Sequence, residues 1–225
     1  RGGRGILMGG SSGVAPARVL VLGAGMAGTN AAWISAGMEA EVVIVDRDIE
    51  RLRFVDQIHR GRIQTLAAST LTLGRLLPSM DVVIGTVLVP GAKAPRLVSR
   101  EMVASMKRRS VIIDISVDQG GCVETSRMTT HSEPTYVEEG VVHYCVGNMP
   151  GAVPHTSTYA LTNSAFPFVQ RIADEGLAAA AGNDPAIASG IDVLQGRVTN
   201  EGVARAHGIR AYTLEDLGFG GSGDR

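Results

Sequence analysis

Short aliphatic runs, separated by longer segments of mixed polarity, recur along the first two thirds of the chain. Runs of this length that are almost wholly apolar are typical of strands buried on both faces of a parallel sheet. The intervening segments carry apolar residues at helical spacing, so the pattern predicts βαβ units and a doubly wound parallel sheet of the α/β class. Six strands are predicted, at residues 19–22, 42–45, 62–68, 81–88, 110–115 and 141–146.

Helices are predicted between these strands and after the last of them. One amphipathic helix is indicated by the apolar positions Ile49, Leu52, Phe54, Val55 and Ile58. Others are expected at residues 71–80, 99–107, 156–176 with an interruption at Pro167, and 200–207. Residues 177–225 show no strand pattern strong enough for a second sheet. We therefore predict a glycine-rich leading segment, a sheet domain and a helical C-terminal segment, at residues 1–17, 18–152 and 153–225.

A glycine-rich turn follows the first predicted strand and precedes a helical segment. Its glycines have the spacing G-x-G-x-x-G, and Asp46 ends the next strand 18 positions after the last of them. In this context the pattern is the Rossmann dinucleotide-binding fingerprint. The first glycine permits the tight turn, the second leaves room for a pyrophosphate, and the third lets the helix pack closely on the sheet. The loop residues expected to contact the cofactor are Gly23, Gly25, Met26, Ala27 and Gly28.

Asp46 favours NAD over NADP, because a carboxylate accepts hydrogen bonds from ribose hydroxyls and repels a 2′-phosphate. Arg47, directly after it, weakens that preference a little. The alternative interpretation is a glycine-rich turn between strand and helix that binds no ligand.

Composition excludes several classes of protein. The formal net charge is −1 and no long run of one sign occurs, so neither nucleic acid nor an anionic membrane is expected as a partner. No membrane span or signal peptide is visible, which favours a cytoplasmic protein. Cys122 and Cys145 are too few for a disulfide framework and are expected to be reduced. The five histidines show no metal-ligand spacing, so no metal is expected.

Ligands of an open α/β sheet bind beyond the carboxyl ends of the strands, near the point where strand order reverses. Asp118 follows the fifth predicted strand and precedes Gly120 and Gly121. A carboxylate there would lie near the nicotinamide end of a dinucleotide, beside a substrate amine or water. Alternatively, Asp118 caps a helix or starts a turn, as acidic residues before glycines often do.

Other polar residues are weaker candidates. Lys93 lies in a loop rich in proline and glycine, from which it could reach a phosphate or a carboxylate. The alternative is a loop lysine that is simply exposed to solvent. His131 and His155 are candidate acid/base groups without a supporting pattern. His143 is expected to face a polar neighbour from a strand. No nucleophile-elbow pattern accompanies the serines, so hydrolase chemistry is not indicated.

With these residues laid out, the chain resembles alanine dehydrogenase over nearly its whole length. The resemblance is carried by six segments: GGRGILMGG (2–10), VLGAG (21–25), VLVPGAKAP (87–95), DQGGCVETSR (118–127), YCVGNMPG (144–151) and TSTYALTN (156–163). It implies a Rossmann domain that binds NAD. It also implies reversible oxidative deamination of L-alanine to pyruvate and ammonia.

The resemblance also assigns roles to matching residues. It implies that Asp118 is the catalytic carboxylate, Asp46 binds the ribose and Arg51 lies near the adenosine. Where the family often has a serine that contacts the cofactor, this chain has Ala68, with Ser69 adjacent. The remaining cofactor-binding residues are expected to be Val87 and Leu88 at the nicotinamide, together with Ile115, Asn148 and Met149.

In the family, a further N-terminal domain precedes the glycine-rich segment and supplies an arginine, a lysine and a histidine to the substrate. The resemblance therefore implies that this chain carries the cofactor half of the site and has little activity alone. It also implies a homo-oligomer, since the family is typically hexameric. Two alternatives stay open. One is the NAD-binding subunit of a proton-translocating transhydrogenase, and the other is a non-catalytic NAD-binding module.

Overall fold

A computed structural model describes residues 2–89 and 93–219 of the chain. These residues form two compact units. The first, here called the sheet unit, comprises residues 2–89 and 93–149, and the second, the C-terminal unit, comprises residues 150–219. Residues 90–92 of the proline- and glycine-rich loop lie outside the described residues.

The sheet unit is built on a seven-stranded sheet with the order β3-β2-β1-β4-β5-β7-β6. All neighbouring strands are parallel except β6 and β7, and the strand order reverses between β1 and β4. The predicted doubly wound Rossmann-like sheet is therefore confirmed. The strands are β1 Arg18–Leu22, β2 Glu41–Asp46, β3 Ile63–Ala67, β4 Val82–Gly85, β5 Val111–Asp114, β6 Thr135–Glu138 and β7 Val141–Tyr144.

Two details of the strand prediction were wrong. The fourth strand ends at Gly85 instead of residue 88, because the chain leaves the sheet at that point. Strand β6 was missed because its four residues are partly exposed and form no aliphatic run. It forms a hairpin with β7 through Glu139 and Gly140, whose φ angles of 51° and 76° are those that a two-residue hairpin turn requires.

Both faces of the sheet are buried, as the apolar strands predicted. Alternate residues of β1 belong to opposite hydrophobic clusters, with Leu20 and Leu22 in one and Val19 and Val21 in the other. Helix α1 packs on the second face, where its Ala32 is fully buried. The helices of the sheet unit are α1 Met26–Gly37, α2 Ile49–His59, α3 Thr70–Leu76 and α4 Arg100–Ala104.

Polar side chains begin three of these helices. Asp48, Ser69 and Ser99 accept hydrogen bonds from backbone N–H groups in the first turns of α2, α3 and α4. Helix α2 matches its predicted position, but only Leu52 and Val55 of its five apolar positions are buried. Helix α3 ends at Leu76, and a 3₁₀ turn continues the chain through Leu77–Ser79.

A buried carboxylate ties the glycine-rich leading segment to the sheet. Asp81 accepts hydrogen bonds from the Arg18 N–H and Lys107 Nζ, both at 2.9 Å, and pairs with Arg4 Nε at 3.0 Å. Burial by itself would raise the pKa of Asp81, but the hydrogen bonds from Arg18 and Lys107, with the nearby charge of Arg4, hold this pKa below its usual value. Residues 2–17 are therefore anchored to the amino ends of the strands.

The C-terminal unit contains four helices and a short hairpin among its described residues. The expected interruption at Pro167 was wrong, because α5 runs through it. Proline removes one backbone N–H, and on this exposed helix water can bind the carbonyl left free. The elements are α5 Pro154–Glu175, α6 Leu177–Asn183, α7 Pro185–Ser189, β8 Val193–Leu194, β9 Arg197–Val198 and α8 Glu201–His207.

The hairpin of β8 and β9 also departs from the expectation that this segment holds no second sheet. Each strand has two residues, which is too short to leave a periodic pattern in the sequence. Gln195 and Gly196, with φ angles of 52° and 75°, form the turn. In neither unit is any described helix both long enough and apolar enough to span a membrane.

Candidate functional site

The glycine loop between β1 and α1 has the backbone geometry that its sequence predicts. Gly23 has a φ of +101°, which an L side chain rarely adopts, and its N–H donates to the Val45 carbonyl at 2.8 Å. A Cβ on Gly28 would lie 1.8 Å from the Gly23 carbonyl oxygen. Glycine at both positions is therefore a requirement of the turn and of the contact between α1 and β1.

Gly25 differs from the other two glycines of the fingerprint, because none of the described residues fills the space beside it. A Cβ there would meet only Arg51, whose Nη1 would be 3.9 Å away. Gly25 precedes α1, and no side chain of the described residues caps that helix, so the N–H groups of Met26, Ala27 and Gly28 begin the helix without such acceptors. An uncapped helix N-terminus beside open space is a ready anion site, and it fits the pyrophosphate of a dinucleotide.

Asp46 lies directly beside the glycine loop. Its carboxylate accepts hydrogen bonds from the Ala24 N–H at 2.6 Å and from the Asp48 N–H at 2.9 Å. Arg51 pairs with Asp48 on the exposed face of α2, with 3.5 Å between Nε and Oδ2. A carboxylate and a guanidinium thus flank the loop on the β2 side, which suits a ribose and the group attached to it.

The residues that follow β3 and β4 offer fewer exposed polar groups to a ligand. Ser69 follows β3, and its hydroxyl is used within α3, where it accepts from the Thr72 N–H at 3.0 Å. The Ala68 N–H donates to the Asp46 carbonyl at 2.9 Å, so Ser69 lies close to the end of β2. After β4, Val87 packs against the core, whereas Leu88 is 63% exposed.

Thr86 belongs to the strand-end residues 86–93, where ligand contacts are expected by position, but the sequence assigns it no role of its own. It directly follows β4, is almost fully buried, and donates its hydroxyl to the Leu22 carbonyl at 2.8 Å. A threonine at the end of an apolar strand carries no signal of such a role, because its partner is 64 residues away in the chain.

Asp114, at the end of β5, is a residue of this region that the sequence analysis missed. It is fully buried, and its carboxylate accepts hydrogen bonds from the backbone N–H groups of Ser116, Cys122 and Val123 at 3.0, 2.9 and 3.3 Å. These bonds shape the 3₁₀ turn Ile115–Gln119 and the two glycines that follow it. An aspartate that ends an aliphatic run, as in Val111–Asp114, is the signal that could have identified it.

Asp118 lies within this 3₁₀ turn, and its carboxylate is directed to a different segment. The Asn148 N–H lies 3.4 Å from each of its oxygens. Asn148 has a φ of 51°, and its carbonyl accepts from His131 Nε2 at 3.2 Å. It is Asp114, and not Asp118, that caps the turn. Asp118, Asn148 and the following Met149 therefore lie together at the carboxyl end of β5 and β7.

Two further predicted residues lie near this cluster. Ile115 is 37% exposed at the start of the 3₁₀ turn. Lys93 is exposed, and the next residue, Ala94, donates its N–H to the Gln119 carbonyl at 2.9 Å. The loop that carries Lys93 therefore runs beside the turn that carries Asp118.

His143, Cys122 and Cys145 are buried in the sheet unit. Burial lowers the pKa of His143, and the neutral ring donates from Nδ1 to the Val141 carbonyl and accepts at Nε2 from Thr125 Oγ1 at 2.7 Å. The predicted polar neighbour of His143 is thus Thr125. Burial also raises the pKa of Cys122, with a further contribution from the Asp114 charge, and burial raises that of Cys145. Both cysteines are free thiols.

The described residues contain no group of three or more histidine, cysteine, aspartate or glutamate side chains that could hold a metal ion. The polar groups at the sheet edge are instead suited to an organic ligand with an anionic centre. The glycine loop offers backbone N–H groups, Asp46 offers acceptors, and Asp118 offers a carboxylate some distance along the same edge.

Known proteins resemble this chain in sequence and in overall fold. An alanine dehydrogenase from Mycolicibacterium smegmatis is 54% identical over 204 residues, which cover 91% of this chain and 55% of the relative. A solved L-alanine dehydrogenase structure superposes with a TM-score of 0.84 at 44% identity, covering 92% of this chain and 57% of that one. The chain thus spans a little over half the length of the relatives that it matches.

A more distant structural match is a transhydrogenase from Sinorhizobium meliloti, with a TM-score of 0.59 at 28% identity over 68% of this chain and 44% of that one. The family model "Alanine dehydrogenase/PNT, C-terminal domain" matches residues 1–201. The match extends across both compact units and includes the glycine loop, Asp46, Asp118 and Asn148. The chain therefore belongs to the alanine dehydrogenase/PNT C-terminal domain family.

Proposed function

We propose that this chain binds NAD and forms the cofactor-binding part of an L-alanine dehydrogenase, which converts L-alanine reversibly to pyruvate and ammonia. The observation that carries the proposal is the glycine loop, with open space at Gly25 and the Asp46 carboxylate beside it. Family membership and the Rossmann-like sheet imply NAD as the cofactor. The relatives named alanine dehydrogenase support the choice of reaction.

In this proposal the cofactor lies along the carboxyl ends of the strands. The N–H groups of the glycine loop and α1 bind the pyrophosphate, and Asp46 accepts hydrogen bonds from the ribose. Arg51 lies at the adenosine and Ser69 near it. The bound NAD supplies the hydride acceptor of the reaction. The residues assigned to the nicotinamide half are Val87, Leu88, Ile115, Asn148 and Met149.

Asp118 is the proposed catalytic carboxylate. A carboxylate at this place can hold the ammonium group of alanine, or a water molecule, by charge-assisted hydrogen bonds. The Asn148 N–H restricts its orientation, because it faces both carboxylate oxygens. The substrate carboxylate needs a cation of its own. The resemblance implies that an arginine and a lysine of a further domain supply it.

We expect the 225-residue chain, assayed alone, to oxidise L-alanine poorly. Asp118 can hold the amine of alanine, but without a cation to hold the carboxylate of alanine the substrate stays free to rotate. Most of the rate enhancement that comes from orienting the substrate is then lost. The expected kcat/KM with NAD and L-alanine is at least about 1,000-fold below that of a full-length relative assayed in parallel. The M. smegmatis enzyme is a suitable reference. Turnover comparable to the reference would contradict this part of the proposal.

Cofactor binding is tested by titrating the same chain with NADH and NADPH and following the nicotinamide fluorescence. The wild-type chain is expected to bind NADH about tenfold more tightly than NADPH, because the Asp46 carboxylate repels a 2′-phosphate. Asp46→Ala should weaken NADH binding about tenfold and narrow the difference between the two cofactors.

Asp56→Ala is the matched control for that titration, since it removes an exposed carboxylate of α2 that lies outside the glycine loop. It should leave both affinities unchanged. If Asp46→Ala binds NADH as the wild type does, the ribose contact is wrong.

The transhydrogenase alternative has weaker support, because that match is 28% identical. Hydride exchange between two nicotinamide cofactors, catalysed without alanine, would favour it. A chain that binds NADH but gains no alanine oxidation when it is combined with the N-terminal domain of a full-length relative would favour the non-catalytic module. The hexameric homo-oligomer, the cytoplasmic location and the division at residues 1–17, 18–152 and 153–225 stay predictions.

A further inference from the structure

Both strands next to β1 hold the glycine loop in place. On the β2 side, Gly23 donates its N–H to the Val45 carbonyl at 2.8 Å, and Ala24 donates its N–H to the Asp46 carboxylate at 2.6 Å. These two bonds fix the start of the loop from one side. Asp46 thus has a structural contact as well as its proposed ligand contact.

On the β4 side the loop is held by one residue. The Thr86 N–H donates to the Leu22 carbonyl at 2.9 Å, which continues the pairing of β4 with β1. The Thr86 hydroxyl lies 2.8 Å from the same Leu22 carbonyl and 3.1 Å from the Gly23 carbonyl. The hydroxyl proton is therefore directed at the Leu22 and Gly23 carbonyls, at the start of the glycine loop.

The space around this hydroxyl is tight. A Cβ on Gly28 would lie 2.6 Å from Thr86 Oγ1, and a Cβ on Gly23 would lie 3.1 Å from it. Thr86 therefore touches the first and third glycines of the fingerprint. A methyl group in place of the hydroxyl would lose the hydrogen bond, and at these distances it would also push both carbonyls away.

We propose that Thr86 is a positioning residue of the dinucleotide site, whose hydroxyl holds the Leu22–Gly23 carbonyls so that α1 presents its N-terminus to the pyrophosphate. The proposal rests on the proposed NAD function for its ligand, but its effect on the loop does not. Serine keeps the hydroxyl and loses the methyl group, whereas valine replaces the hydroxyl with a methyl group that cannot donate and that crowds the two carbonyls. A loss in Thr86→Val that Thr86→Ser does not share therefore assigns the effect to replacement of the hydroxyl.

The test compares NADH titrations of the wild-type chain, Thr86→Val, Thr86→Ser and Thr125→Val. Thr125 is the matched control, because it is an equally buried threonine whose hydroxyl bonds to His143 Nε2 at 2.7 Å, away from the loop. Thr86→Val is expected to weaken NADH binding about fivefold or more, the value of one buried hydrogen bond. Thr86→Ser and Thr125→Val should stay within about twofold of the wild type.

Hydrogen–deuterium exchange of the ligand-free proteins gives a second readout that needs no cofactor. Thr86→Val should speed exchange in a peptide that covers residues 22–30, and neither Thr86→Ser nor Thr125→Val should do so. Unchanged exchange and affinity in Thr86→Val would overturn the proposal, as would equal losses in Thr86→Val and Thr125→Val. If the wild type binds no NADH while the exchange difference persists, the proposed function fails and the positioning of the loop by Thr86 stands.

Discussion

Replacing Gly28 with alanine should weaken NADH binding strongly and lower the stability of the sheet unit. The new Cβ would lie 1.8 Å from the Gly23 carbonyl oxygen and 2.9 Å from its carbon. Both are backbone atoms, so no side-chain rotation can relieve the contact and α1 must move away from β1. Overpacking of this kind costs about 1–3 kcal/mol or more. We expect NADH affinity to fall by about 100-fold, measured by fluorescence titration, together with a lower melting temperature.

Two other glycines serve as controls for this substitution. Gly25→Ala places its Cβ in open space, so the melting temperature should stay near that of the wild type while NADH binding weakens. Gly74→Ala lies within α3, where a Cβ meets nothing within 4 Å, and should leave binding unchanged and stabilise the fold slightly. NADH binding by Gly28→Ala at wild-type affinity would show that the contact between α1 and β1 is not needed for the site.

Asp114→Asn should cause the largest loss of stability among conservative substitutions. An asparagine offers one oxygen and one NH₂ group, whereas the carboxylate accepts from Ser116 on one oxygen and from Cys122 and Val123 on the other. In either orientation of the amide, at least one buried N–H faces another donor. The expected cost is about 3 kcal/mol, or about 6–12 °C in melting temperature for a chain of this size.

The same variant should expose Cys122, whose backbone N–H is one of the three donors. Thiol labelling under native conditions is therefore expected to be faster in Asp114→Asn than in the wild type, in which the thiol is buried. Asp118→Asn is the control, since its carboxylate is exposed and its substitution should leave the melting temperature and the labelling rate unchanged. An Asp114→Asn protein as stable as that control would refute the structural role of Asp114.

The parts of the site that the sequence predicted depend on neighbours in the chain. Gly23, Gly25 and Gly28 are read from one turn, and Asp46 from the next strand. Gly23 and Gly28 leave a local signal because the tight turn and the close helix contact admit no other residue type, and Gly25 because a side chain there would occupy the space for the pyrophosphate. Asp46 is recognised by its position at the end of the strand that follows. Thr86 and Asp114 also lie at strand ends, but a threonine or an aspartate there has several uses, so their position alone assigns neither residue a role. The bonds of Thr86 cross 63 and 64 residues.

The elements of the fold also divide into those with a local sequence signal and those without one. Five of the six predicted strands lie inside the sheet, where burial on both faces requires an aliphatic run. The sixth, β3, is an edge strand with partly exposed residues. Strand β6 and the hairpin of β8 and β9 are short and partly exposed, so burial does not require apolar residues along them. Their sequences therefore show no aliphatic run and no alternation of apolar and polar residues. Helix α5 continues through Pro167, although the local rule predicts a break.

Local sequence was enough to establish a doubly wound sheet, a dinucleotide loop and the residues at the strand ends, because backbone geometry and burial act on each segment separately. The tertiary structure decided which of those strand-end residues meet. It brought Asp118 to Asn148, Asp46 to Ala24 and Thr86 to Leu22, through hydrogen bonds between segments that are far apart in the chain. Such bonds form only after the strands have paired, so their partners depend on strand order and register, which no single segment encodes.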